Sequence, residues 1–362
     1  MQKKERVYSI DLLESIAMLF VIAYHGTNYG FEFLDDSRNV FYYLSYFFRS
    51  IVSCATPLFF FANGYLLLNR EFNLKKHIRK CIKLVIITAV WAVIYMFMIM
   101  NFKHEILSPK EFLWGIWTWK QDWINFLWFI PSLIVIYIFL PLIKTAFDHN
   151  REAFYFFTII TAILTFGNVF LNICCSIASN VVLGTNEIYH TNWFNNYNPF
   201  RNIYGYTIVH FCVGGIAPEL KKKIRFLDRP RNTIFVILLS MLGLTVTGVV
   251  LSRIQNDYWD VVWNGTETVF TLINVFCIYS LCTEYKGKEN WFRKIICAIS
   301  VNTLGIYFLH MAVLPFVGAF IYSVDFLYNV PGNLLYGVLT LLATLGLVLV
   351  FKKIPLLKEL VQ

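Results

Sequence analysis

The stretch SIDLLESIAMLFVIAYHGTNYG, Ser9 to Gly30, is an apolar run with two carboxylates near its start, Asp11 and Glu14, and a histidine, His25, near its end. On a helix turning about 100° per residue, Glu14 and His25 return to within about 20° of one direction, and Asp11 lies about 40° to the other side. The three groups therefore share one stripe, with His25 roughly 16 Å above Glu14. Ionisable groups inside a membrane span are costly and face a bundle interior or a cavity. A plainer reading sets Asp11 and Glu14 in the interfacial region, where a helix N-terminus favours negative charge, and makes His25 a buried, hydrogen-bonded histidine. Either way, the run reads as a membrane helix, and others like it recur along the chain.

Composition agrees. Of 362 residues, 58% are hydrophobic, 18% aromatic and 15% charged, and the mean hydropathy is +0.59. A soluble domain carries about 25% charged residues. Windows of about 20 apolar residues give ten spans: 10–29, 40–66, 80–100, 124–143, 152–172, 202–219, 232–250, 262–283, 295–321 and 333–351. Span 202–219 is the weakest, because it holds His210 and the pair Gly214–Gly215. In hydrocarbon every backbone N–H and C=O needs a partner within the protein, and the sequence lacks barrel-like alternation, so all ten read as helices. The expected fold is an all-α, polytopic membrane bundle forming a single integral-membrane domain over residues 1–362.

Lysine and arginine placement sets the orientation. With both termini cytoplasmic, inside segments and helix edges hold 24 of the 31 basic residues, and the outer side holds Arg38, Arg49, Lys103, Lys110, Lys120, Arg201 and Arg253. The net charge of +9 is then explained by inside loops such as LKKHIRK (74–80) facing anionic lipid, with no nucleic-acid partner required. Those clusters are topology determinants, or one of them also meets an anionic cytosolic ligand. Tryptophans in WGIWTWKQDW (114–123) fit an outer interfacial belt. The first span is not a cleaved signal peptide, since it has no small-residue cleavage site and carries Asp11 and Glu14 where the apolar core of a signal would begin. The eight cysteines include no C-x-x-C pair, and no Walker, G-x-G-x-x-G or H-E-x-x-H motif occurs, so no metal is expected.

Four polar residues on four spans fall at similar depth: His25, Arg49, Glu267 and His310. Each alone has a structural explanation, Arg49 by snorkelling outward. Together they suggest a reaction centre or a permeation pathway.

RVYSIDLLESIAMLFVIAYH (6–25) resembles the first helix of acyltransferase family 3, the bacterial integral-membrane O-acyltransferases. TPLFFFANGYLL (56–67), LWFIPSLIVIYIFLP (127–141) and LGIYFLHMAVL (304–314) resemble three further family stretches, in the expected order. One departure matters, because Glu14 stands where the family carries an arginine. The resemblance implies transfer of an acyl group, usually acetyl, from cytosolic acetyl-CoA or another acyl-CoA to a hydroxyl of a cell-surface glycan or its lipid-linked precursor. It also implies a multi-pass protein of the bacterial cytoplasmic membrane. Acyl transfer to an alcohol needs a base for the hydroxyl proton and donors for the oxyanion. For the implied reaction His25 suits the base, Arg49 an electrostatic stabiliser, and His310 a second acid–base or orienting group. Lys75, Lys76, Arg79 and Lys80, near Glu14 on the inner side, would meet the donor's phosphates. A glycan or small-anion exporter would use similar buried groups, but inverted repeats and paired broken helices are not evident. A glycan polymerase would be expected to carry a large basic outer loop, and the longest outer segment, 173–201, has just Arg201.

Overall fold

The computed structural model describes residues 6–26, 33–34, 38–102, 104, 106–118, 124–194, 196–200, 204–285, 289–321 and 330–362, and every regular element among them is helical. Lys3, Lys4, Lys103, Lys120, Arg201, Lys286, Lys288, Trp119 and Trp123, which entered the charge and belt readings, lie outside the described residues.

Seven helical stretches are long and apolar enough to cross a membrane: 40–68, 74–102, 125–149, 151–183, 230–255, 303–321 and 333–351. The chain is an integral, multi-pass membrane protein. The other three expected spans are helical too: α1 (Tyr8–Tyr24), α9 (Tyr206–Lys223) and α11 (Val269–Glu284). They have 17, 18 and 16 residues, and α9 ends in Lys221, Lys222 and Lys223. The weakness of α9 has a physical reason. Its residues from Tyr206 to Ala217 are buried almost without a break, so protein rather than lipid surrounds it and lipid-like hydrophobicity is not needed.

Several spans are interrupted. A 3₁₀ turn at Ile51–Cys54 joins α2 (Val40–Ser50) to α3 (Ala55–Leu68). After α4 (Leu74–Phe102) comes the short α5 (Pro109–Thr118), which lies between two of the expected spans. A capping box starts α5, with Ser108 N–H donating to Glu111 Oε2 at 2.8 Å and Glu111 N–H to Ser108 Oγ at 3.3 Å. Another 3₁₀ turn, Asn125–Trp128, opens α6 (Phe129–His149). Between α7 (Arg151–Ala162) and α8 (Asn168–Leu183) lies a π turn, Ile163–Gly167. This run extends well beyond the expected 172, and Gly184 closes it in the left-handed conformation at φ 67°. After α10 (Pro230–Gln255), the stretch Asn264–Glu267 is a 3₁₀ turn ahead of α11. The expected span 295–321 is two helices, α12 (Trp291–Val301) and α13 (Thr303–Ile321), and α14 (Val330–Phe351) and α15 (Pro355–Lys358) complete the chain.

The start of α1 and the segment after α14 both pack near the junction of α12 and α13, where Val361 lies against Gly305. Asp11 accepts from Ser300 Oγ at 2.8 Å, Trp91 Nε1 donates to the Leu360 carbonyl at 2.9 Å, and Lys83 pairs with Glu359 at 3.0 Å. The first turns of α4, with Lys75, Lys76, Arg79 and Lys80, lie at this end of the bundle, the basic one.

At the centre, α3 and α9 cross with their backbones in contact. A Cβ on Gly64 would overlap the carbonyl oxygen of Phe211, and one on Gly214 would overlap that of Phe61. Such close approach is a common device where helices pack inside a membrane. Gly64→Ala should therefore cost about 1–3 kcal/mol through overpacking against backbone, read as a lower midpoint of thermal unfolding in detergent. Gly346→Ala, where a Cβ meets nothing within 4 Å, should leave that midpoint unchanged or slightly raised, since alanine is the better helix former.

Candidate active site

His25 sits at the C-terminal cap of α1, its backbone N–H bonded to the Ile22 carbonyl at 3.1 Å. The ring lies 5.4 Å from that of His310 on α13, centroid to centroid. Both line a cavity of about 60 Å³ whose walls come from α1, α3, α13 and the three 3₁₀ turns at 51–54, 125–128 and 264–267. The walls are mainly apolar and aromatic, with Thr56 and Thr266 among them.

His310 is fully buried. Its Nδ1 lies 2.6 Å from the Tyr307 carbonyl. A carbonyl only accepts, so Nδ1 carries the proton and neutral His310 holds its lone pair on Nε2. That Nε2 is buried with no hydrogen-bond partner among the described residues. Tyr307 is itself pinned, donating its hydroxyl to the Phe126 carbonyl at 2.5 Å, and the Phe126 ring packs edge-on against His310 at 5.4 Å.

The other two residues at this expected depth are elsewhere laterally. Arg49 is buried on α2, 3% exposed, within electrostatic reach of Tyr24 and Tyr46, and does not line the histidine cavity. Glu267 is adjacent to Thr266 but faces the opposite way, into two polar cavities bounded by α8 and the segment after it.

Toward the basic end lies a second cavity, of about 240 Å³, lined by Glu14, Asn63, Lys80, Tyr137 and apolar neighbours. Lys80 Nζ donates to the Tyr137 hydroxyl at 2.9 Å, which donates to Asn63 Oδ1 at 2.9 Å. Lys75, Lys76 and Arg79 are exposed on the same helix and do not line it. Glu14 and Asp11 converge on Ser300, whose hydroxyl lies 2.5 Å from Glu14 Oε2 and 2.8 Å from Asp11 Oδ1. One hydroxyl proton serves one carboxylate at a time. Arg6 grips Asp11 from outside the helix, Nε to Oδ2 at 3.0 Å and Nη2 to Oδ1 at 2.5 Å.

The expected stripe on α1 thus exists, with Glu14 on one cavity and His25 on the other. Three rings, Phe59, Phe129 and Tyr307, line both cavities. Phe129 stands 5.9 Å from Phe59 and 5.4 Å from Tyr307, so together they form a single aromatic layer between the two chambers. Sequence reasoning quoted the stretches holding these rings and Asn63 without singling them out. Aromatic residues are too common here for any one to stand out by type.

An acyltransferase domain family model matches residues 7–353. An amino-acid racemase of Enterococcus faecalis is 25% identical over 297 residues, covering 80% of this chain and 37% of that protein. The chain therefore spans little more than a third of that relative's length. No solved structure matches the chain.

The pinned ring can be tested. Tyr307→Phe leaves the Phe126 carbonyl buried without its donor, which should cost about 1–3 kcal/mol. The expected result is a lower unfolding midpoint with unchanged helical circular dichroism.

Proposed function

The chain belongs to acyltransferase family 3, and on that premise we propose that it is a membrane O-acyltransferase moving an acyl group, most simply acetyl, from a cytosolic acyl-CoA to a hydroxyl of a cell-surface glycan or its lipid-linked precursor. The observation that carries the reading is the His25–His310 pair in a cavity that shares an aromatic wall with a second cavity opening toward the basic end. The relative's name describes a protein of which this chain matches a minor part, and its activity is not carried over.

In this reading all ten helical spans cross the cytoplasmic membrane of a bacterium, and the basic end faces the cytosol, in keeping with 24 of 31 cationic side chains on that side. The donor's acyl arm enters beside Lys80 and Asn63, whose ammonium and amide suit a phosphate and an amide chain. Lys80 is the cation inside the chamber where Glu14 replaces the family's arginine. The arm crosses the layer of Phe59, Phe129 and Tyr307 and presents its thioester carbonyl to the histidines.

His25 removes the acceptor hydroxyl's proton as its oxygen attacks that carbonyl. The C–S bond then breaks, and the thiolate takes the proton back from the imidazolium. As His25 gains a second N–H, the lone pair on His310 Nε2 is the neighbouring acceptor that favours the charged ring, as a carboxylate does in a hydrolase triad. Water exclusion by the apolar walls limits hydrolysis of the donor.

Two measurements test this. His25→Ala and His25→Gln should each lower acyl transfer by about 10²–10⁴ while the purified protein unfolds at the same temperature. Near-normal transfer by His25→Gln would remove it as the base. Lys80→Gln should weaken acetyl-CoA binding and flatten its salt dependence, more than Lys75→Gln and Lys76→Gln combined. Equal effects would deny the inner cavity a donor role.

A further inference from the structure

The π turn at Ile163–Gly167 places one hydroxyl differently from its neighbours. Upstream in the same helical run, Thr158 and Thr161 donate to the carbonyls four residues back, Phe154 at 2.8 Å and Phe157 at 2.7 Å. Thr165 does not. Its Oγ1 is buried with no hydrogen-bond partner among the described residues, and the residue is 6% exposed. It lines a polar cavity of about 70 Å³, kept open beside it by Gly205, where a Cβ would stand 2.5 Å from that oxygen. Single π turns inside α-helices often mark functional sites.

A larger polar cavity of about 270 Å³ adjoins it, and Asn168, Asn192 and Glu267 line both. Asn168 Oδ1 is occupied by the Trp193 N–H at 2.8 Å, which leaves its amide nitrogen to donate elsewhere. Glu267 makes no hydrogen bond or ion pair to a described residue. Tyr189 and Trp259 add aromatic surface to the larger cavity. Among the described residues, the titratable ones lining the two cavities are Glu267, His190 and Tyr189, and no described lysine or arginine lines them. An unengaged carboxylate, amides, a hydroxyl and aromatic faces suit a molecule with many hydroxyl groups, since carboxylates accept and amides donate. The same carboxylate, with no cation among the described residues lining these cavities, repels a negative charge.

The location fits acyl transfer. Thr266 lines the histidine cavity and Glu267 the polar ones, so consecutive residues of one turn divide the two spaces. A molecule held at Glu267 therefore lies one residue of the turn away from the wall of the histidine cavity.

We propose that the paired polar cavities around Thr165, Asn168 and Glu267 are the acceptor subsite, and that they select an uncharged or amine-bearing polyol over an anionic sugar. This rests on the acyl-transfer reading above. The full chain in lipid nanodiscs, without donor, is titrated with three probes, methyl glucoside, methyl glucosaminide and methyl glucuronide, and contact is read by saturation-transfer NMR. The glucoside and glucosaminide should bind saturably, and the glucuronide about tenfold or more weakly. Thr165→Val and Asn168→Ala, checked for unchanged unfolding midpoints, should each weaken glucoside binding about three- to tenfold, the loss of one hydrogen bond. Glu267→Gln should narrow the gap between glucoside and glucuronide. Absence of saturable binding by both the glucoside and the glucosaminide, equal binding of all three probes, or binding indifferent to every substitution would overturn the subsite. Acetyl-CoA is then added. Intact probe binding without acyl transfer would defeat the acyltransferase reading and leave the subsite standing, whereas transfer that ignores the substitutions would do the reverse.

Discussion

The contact between Gly64 and Phe211, repeated by Gly214 against Phe61, is the constraint on which the interior depends. It fixes α3 against α9 at backbone distance. From α3 project Thr56 and Phe59 into the histidine cavity and Phe59 and Asn63 into the inner one. Any side chain at the crossing would push α3 outward and shift the walls of both chambers together. Protein interiors have few voids to absorb such a shift.

A second regularity is where the helices break their own pattern. The 3₁₀ turns at 51–54, 125–128 and 264–267 each supply residues to the histidine cavity, and the π turn at 163–167 lines a polar one. Within a bilayer, irregular backbone is tolerated where protein or a cavity surrounds it, because lipid offers no hydrogen-bond partners. The interruptions are therefore confined to the places where side chains must be aimed inward.

Much of this fold could be read from apolar run length. Runs such as 74–102 and 230–255 face lipid on one side and announce themselves by composition. The α9 helix was legible but faint, since a helix wrapped by other helices has no need of a greasy surface. The interruptions left no trace, because a 3₁₀ or π turn in a membrane helix is settled by packing partners far away in sequence. At the site, the shared stripe of Glu14 and His25 followed from helix geometry alone. Depth along a span was equally computable for Arg49, Glu267 and His310, but it carries no lateral information. Only tertiary structure separates His310, beside His25, from Glu267, which faces away across one peptide unit, and from Arg49 behind Tyr24.

The layer of Phe59, Phe129 and Tyr307 has a bioenergetic consequence. The histidine cavity and the inner cavity share these three rings as a common wall. A proton or sodium ion moving through would have to shed its hydration shell against aromatic faces, at a cost of several kcal/mol or more. A slender neutral group could slip between rings that swing aside and close behind it. The membrane would then keep its electrical resistance, and the cell its ion gradients, through every turnover.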